Sequence, residues 1–192
     1  MVERTEALKT EYNGTQYRSR TEARWAVFFD EIRIDFEYEK EYLTLSSKVR
    51  YLPDFYLPQF SAYLEVKPNS DSIVTEECVK ARELASDLQG TDTNVWLATG
   101  GPSENNGNII PLSDWDKSDD IEHILSVTEN RYIFWQDRRD EGMYWLHAVD
   151  SDGNMRRTFL IGGWGVETDH TREPMMFGLV EKSYKKARSF EF

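Results

Sequence analysis

The sequence predicts an α/β fold of the α+β kind: a helix, a group of antiparallel strands, a crossover helix, and a last strand returning parallel to the group. Three observations predict it. A capped, aromatic-rich helical segment over 21–33 runs directly into a stretch that alternates apolar and acidic residues over 34–38. Two β-rich runs are then joined by Pro58-Gln59-Phe60-Ser61, the second covering 62–67. Beyond them Val74, Cys78, Ala81, Leu84, Ala85 and Leu88 trace a helical stripe leading to the apolar run NVWLAT over 94–99.

Residues 1–16 are polar, with a turn at Asn13-Gly14, and are expected to form a loosely held arm. Ser19-Arg20-Thr21-Glu22 matches a capping box, and Ala23, Trp25, Ala26, Val27, Phe28, Phe29 and Ile32 cover enough of the following helix to bury most of it. Ile34, Phe36 and Tyr38 read as a half-buried strand, 42–45 as a short strand continuing the sheet, and Ser46-Ser47-Lys48 as a turn. The helix over 74–88 and the strand over 94–99 complete a unit of helix, three strands, helix and strand. A strand–helix–strand connection of this length favours parallel pairing. The unit is expected over 17–102, followed by a β-rich appendage over 103–192 that packs on it. In that appendage 109–115 reads as an edge strand, 117–127 as a helix, 131–136 as a strand, and 143–149 with 155–161 as a hairpin. A final helix over 174–190 has Pro174 near its start.

Composition narrows the possibilities. The chain has 192 residues and a formal net charge of −12, which argues against coating DNA by bulk attraction. Its one cysteine, Cys78, excludes a disulfide framework and a thiolate zinc cluster, and reads as a buried small hydrophobe. His123, His147 and His170 lie in three contexts with no helical pair, so neither a histidine metal site nor a Ser-His-acid triad is expected. Gly162-Gly163-Trp164-Gly165 lacks the Lys-Ser/Thr ending of a phosphate loop, so no nucleotide cofactor is expected. Asp150-Ser151-Asp152-Gly153-Asn154 has the acids of a calcium loop without its spacing or distal glutamate, and reads as a turn. No apolar run reaches the ~20 residues of a membrane span and no secretory signal opens the chain, so a cytoplasmic location is expected.

The chemistry concentrates between positions 51 and 67. In a strand over 62–67, Tyr63, Glu65 and Lys67 share one face while Leu64 and Val66 share the other. Pro53 limits how far the preceding strand runs through a sheet, because proline has no ladder donor. A chain that splays at Pro53-Asp54 sets Asp54 beside Glu65. Two carboxylates with a lysine two residues on suit a hard divalent cation and a hydrolytic water.

Pro53-Asp54 followed by Glu65-Val66-Lys67 resembles the motif of the PD-(D/E)XK nuclease superfamily. The upstream segment YRSRTEARWAVFFDEIRIDFEYE, from Tyr17 to Glu39, is similar to the first helix and strand of phage nucleases of this type, including the junction-resolving phage endonuclease I group. The likeness runs from Tyr17 to Thr99. It implies a restriction-endonuclease-like core of order αβββαβ and a phage-encoded, metal-dependent endonuclease acting in the host cytoplasm on duplex or branched DNA. A homodimer is implied as well, since resolving a four-way junction takes paired incisions. Mg²⁺ or Mn²⁺ would be held by Asp54, Glu65 and the carbonyl of Val66. Glu22 would serve a second metal or orient a water, and Lys67 would position or activate the attacking water. Arg18, Arg20 and Arg24 flank Glu22 and would meet DNA phosphate.

Other readings stand beside these. A capping-box glutamate such as Glu22 needs no catalytic task, and the three arginines also fit solvated helix-end charges. Lys182, Lys185 and Lys186 favour the dipole of the last helix and equally fit contacts with the DNA backbone. A nuclease-derived binder of nucleic acid or of a host-defence protein, without activity, is the alternative function. A surface ion-pair patch is the bland one.

Overall fold

The computed structural model describes residues 8–67, 74–103, 107–127, 131–136, 144–149, 155–162 and 179–192. Its centre is a mixed five-stranded sheet. Strand β3 (Glu37–Tyr38), β6 (Phe55–Leu57), β7 (Ala62–Lys67), β8 (Asn94–Thr99) and β9 (Ile109–Pro111) lie side by side in the order β3-β6-β7-β8-β9. All neighbours are antiparallel except β7 and β8, which run parallel as the strand–helix–strand connection requires. Helix α1 (Arg20–Glu31) covers one face and α2 (Glu76–Asp87) the other.

Local chemistry explains the first helix. Ser19 is the N-cap, its hydroxyl accepting the Glu22 N–H at 3.1 Å. Arg33 adopts a left-handed conformation at φ 59°, and the Ile34 N–H returns to the Phe29 carbonyl at 2.9 Å. That closure consumes the first residues of the expected strand over 34–38, so only Glu37 and Tyr38 pair in the sheet. The apolar residues of α1 are buried against Phe55, Leu57, Leu64, Val66 and Trp96.

The segment over 42–45 does not continue the main sheet. Strand β4 (Leu43–Thr44) pairs instead with β5 (Arg50–Tyr51) in a separate two-stranded ribbon. The reason is the turn: Lys48 sits at φ 71° and the Leu45 N–H donates to the Val49 carbonyl, which folds the chain straight back. Residues 10–16, expected within a loose arm, form with Tyr17 a hairpin of β1 (Thr10–Tyr12) and β2 (Thr15–Tyr17) around Asn13-Gly14, both at positive φ. Tyr17 enters the core and Tyr12 meets the Phe190 ring edge-on at 5.3 Å.

Helix α2 begins at Thr75, whose hydroxyl caps the Cys78 N–H, and buries Cys78, Ala81, Leu84 and Ala85 against Val95 and Leu97. Cys78 is a buried free thiol, as expected. Helix α3 is short (Ile121–Ser126) because Asp120 caps it, accepting the His123 N–H at 2.7 Å, four residues later than the expected start. The loop before it is gathered by buried Arg82, whose guanidinium donates to the carbonyls of Leu112, Asp116 and Asp119.

The C-terminal part shares the core. Strands β10 (Ile133–Gln136), β11 (Tyr144–Val149) and β12 (Met155–Gly162) form an antiparallel sheet joined to β9 by the bridge Ile109–Tyr132. Phe134, Tyr144 and Leu146 pack into the cluster under α1. Helix α4 (Leu179–Ser189) lies on α1, with Tyr184 over Phe28 at 4.4 Å between ring centroids. The calcium-like turn over 150–154, the glycines from 163 on and the expected helix start at Pro174 lie outside the described residues. Among the described residues no helix is long and apolar enough to cross a membrane.

Candidate active site

Strand β7 alternates as its sequence requires, yet both of its faces are covered. Leu64 and Val66 enter the cluster beneath α1, while Tyr63 enters the one beneath α2. Glu65 and Lys67, on the α2 side by the two-residue period, are therefore interior charges, 4% and 5% exposed. Burying a carboxylate is costly unless something answers its charge.

Asp54 joins them because β6 stops short. Phe55 pairs with Leu64, and continuing that register by one residue sets Asp54 opposite Glu65. At Pro53 the backbone leaves the ladder. The Asp54 carboxylate replaces the missing acceptor, Oδ2 taking the Val66 N–H at 2.7 Å. In a pleated strand the N–H and C=O of one residue point to the same edge. The Val66 carbonyl therefore opens toward Asp54, while the Lys67 carbonyl turns to β8 and accepts the Gly100 N–H at 2.7 Å.

Each acid has a partner of its own. Tyr51, on β5, donates its hydroxyl to Glu65 Oε2 at 2.6 Å. Glu22 accepts from the Tyr38 hydroxyl at 2.6 Å and the Arg18 N–H at 3.1 Å on Oε2, and from the Ser19 hydroxyl at 2.7 Å on Oε1. The Arg18 guanidinium bridges two carboxylates, with Nη2 on Asp54 Oδ1 and Nε on Glu39 Oε1 at 2.8 Å. Arg18 is held charged: burial opposes this, but Asp54, Tyr38 and Glu39 outweigh it.

The electrostatics follow from this crowding. Burial, then the charge of Glu22, pushes Asp54 up to about 7, against the opposing pull of Arg18 and the Val66 N–H. Burial and the charge of Asp54 raise Glu65 well above the usual carboxylate range, with Tyr51 pulling the other way. The site is an interior cluster of carboxyl groups held by one arginine side chain, two tyrosine hydroxyls, a serine hydroxyl and two backbone amides.

Asp54, just before β6, and Glu65, on β7, thus lie close enough for their charges to interact, as do Asp54 and Glu22, while Lys67 is buried two residues beyond Glu65 on the same strand. Glu22 reaches it from the α1 side of the sheet and Glu65 from the α2 side. Among the described residues no three Asp, Glu, His or Cys side chains gather where they could hold a metal ion together. Two carboxylates and a backbone carbonyl are nonetheless an oxygen-only donor set of the kind Mg²⁺ uses when water and phosphate fill its other positions. Asp54, Glu65 and the Val66 carbonyl are the oxygens that could serve such an ion.

The basic residues divide. Arg18 is turned to Asp54 and Glu39, with half of its side chain still exposed. Arg20 is exposed at the start of α1. Arg24 packs its stem beside Gly101, where an added Cβ would meet Arg24 Cδ at 3.8 Å, and its Nε has no hydrogen-bond partner among the described residues. Lys185 pairs with Glu181 and Lys186 with Glu31, each at 2.5 Å, while Lys182 is exposed. Glu31 lies nine residues beyond Glu22 on α1, about 13 Å along the helix axis. That pair therefore marks the far end of α1 from the acids.

Sequence reasoning missed Tyr38, Tyr51, Ser19 and Glu39 as parts of the site. Tyr38 read only as a core position of an alternating strand, although a buried tyrosine hydroxyl seeks a partner.

No protein-family model, no curated protein and no solved structure matches the chain.

Proposed function

We propose that the protein is a metal-dependent endonuclease of PD-(D/E)XK type that hydrolyses DNA phosphodiester bonds, with branched or junction DNA among its substrates. One observation carries the reading: Asp54, just before β6, and Glu65, on β7, are both buried and close enough for their charges to interact, and Lys67 is buried two residues further on. Opposed interior carboxylates repel each other, and a divalent cation relieves that repulsion.

A bound Mg²⁺ or Mn²⁺ would polarise the scissile phosphate and lower the pKa of a coordinated water. The chain's own residues do the rest. Asp54 and Glu65 supply carboxylate oxygens, Val66 a carbonyl, and Tyr51 holds the Glu65 carboxylate in one orientation. Lys67, as a cation, positions the attacking water and offsets charge on the pentacovalent phosphorus. Glu22 adds negative charge beside Asp54 and ties Tyr38 and the Arg18 backbone to the helix start. Arg20 and Arg24, on the same helix end, are the nearest candidates to meet the flanking phosphates.

A panel of duplex, single-stranded, nicked and four-way-junction DNA, incubated with Mg²⁺ or with EDTA, tests this. Metal-dependent cutting that vanishes in Asp54→Asn supports the proposal, and no cutting of any substrate defeats it.

A second reading, a nuclease-fold binder without activity, draws on another observation. Both oxygens of Asp54 already have protein partners, Val66 and Arg18. Titration of Mn²⁺ into the parent and Asp54→Asn separates the two, because the binder takes up no ion at this site.

A further inference from the structure

The Arg18 guanidinium occupies an unusual position. Its Nη2 stands on Oδ1 of Asp54, a carboxylate 2% exposed, while its own side chain is 50% exposed. Its Nε is anchored by Glu39, and Glu39 is fixed in turn by its N–H on the Asp54 carbonyl at 2.8 Å. The arginine backbone is fixed as well, its N–H lying 3.0 Å from the Tyr38 hydroxyl and 3.1 Å from Glu22 Oε2. One edge of the guanidinium thus faces the interior acid and the other faces water. On Asp54, Oδ2 is committed to the Val66 N–H, so Oδ1 is the oxygen for which an incoming cation must compete.

We propose that Arg18 is an exchangeable counter-ion: a divalent cation arriving at the site takes Asp54 Oδ1 from it, and the released guanidinium, still anchored to Glu39, turns to a phosphate of the bound DNA. This rests on the metal-dependent nuclease reading above and adds to it the order of events at Asp54. The exchange replaces one positive charge by two beside Asp54 and Glu65, so Asp54 keeps a cationic partner before and after it. A planar guanidinium suits the second half of the exchange, because its fork pairs with two phosphate oxygens as readily as with a carboxylate.

Mn²⁺ titration by calorimetry, without DNA, tests the first half in the parent, Arg18→Gln and Arg18→Lys. Removing the competitor should tighten Mn²⁺ uptake about tenfold in Arg18→Gln. Arg18→Lys, which keeps the charge but cannot span Glu39 and Asp54 together, should fall between the two. This second variant carries the test if the glutamine protein does not fold. Uptake equal to or weaker than the parent's in the variants overturns the exchange while leaving the metal site standing. Absence of uptake in the parent and both variants overturns the metal site and the exchange with it. The second half is read by anisotropy of a labelled duplex in Mn²⁺, on a Lys67→Ala background. Arg18→Gln should weaken DNA binding there despite the tighter ion, and unchanged binding overturns the phosphate contact.

Discussion

Tyr51 donates its hydroxyl to Glu65 at 2.6 Å in the interior of the protein, linking the small β4–β5 ribbon to the central strand of the main sheet. Burial, and then the Glu65 charge, raises the tyrosine well above its ordinary range, so it stays a donor at any working pH. Tyr51→Phe leaves one Glu65 oxygen without its partner. The expected cost is about 1–3 kcal/mol of stability, together with weaker Mn²⁺ uptake because the carboxylate is no longer oriented. Urea melts and Mn²⁺ titrations read the two effects, and a phenylalanine variant indistinguishable from the parent in both would remove Tyr51 from the site.

Lys67 offers a division between binding and chemistry. Lys67→Ala should keep duplex affinity within a few-fold while cleavage falls by about a hundredfold or more. Gel-shift and single-turnover cleavage assays on the same DNA measure both. A variant that cuts at the parent rate would take the lysine out of the reaction.

Stability should fall as pH rises. Asp54 is pushed up to about 7 in the folded protein, above its value in the unfolded chain, so folding holds a proton that the unfolded state releases earlier. The stability gained from that proton is fully present below about pH 4 and is lost as pH climbs through about 7, by at most about 4 kcal/mol. Glu65, shifted in the same direction, adds to the trend. Thermal melts from pH 5 to 8 in EDTA should show a decline, Asp54→Asn should flatten it, and Mn²⁺ should raise the melting point most at pH 8. A parent whose melting point rises across that range contradicts the prediction.

Arg82 makes a prediction about fold rather than chemistry. Its buried guanidinium donates to three carbonyls of the loop ahead of α3. Arg82→Ala strands those acceptors and should cost roughly 2–3 kcal/mol. Hydrogen exchange should show the loss of protection concentrated between Leu112 and Ile124, with Mn²⁺ uptake at Asp54 unaffected. Loss of uptake would mean that the loop supports the acids after all.

Much of the core was legible from local signals. The capping box at Ser19, the alternation of β7 and the stripe of α2 are short-range patterns, and each produced its element. Where the strands were misread, a turn was responsible. The left-handed Arg33 shortened β3 and the left-handed Lys48 turned β4 out of the main sheet. Neither residue is a glycine, so composition gives no sign of those conformations. Of the site, Glu65 and Lys67 could be put on one face from the strand period, and Asp54 beside Glu65 from the short turn and the break at Pro53.

The sequence alone put Glu65 and Lys67 on one face of β7 and Asp54 beside Glu65, from the strand period, a four-residue turn and the break at Pro53. Only the tertiary structure decided that this neighbourhood is interior on both faces, that Glu22 and Glu65 approach Asp54 from opposite sides of the sheet, and that Arg18 closes on Asp54. Those outcomes depend on how two helices and a ribbon pack over one strand. Burial and charge pairing between distant segments are properties of that packing, and no local pattern along the chain encodes them.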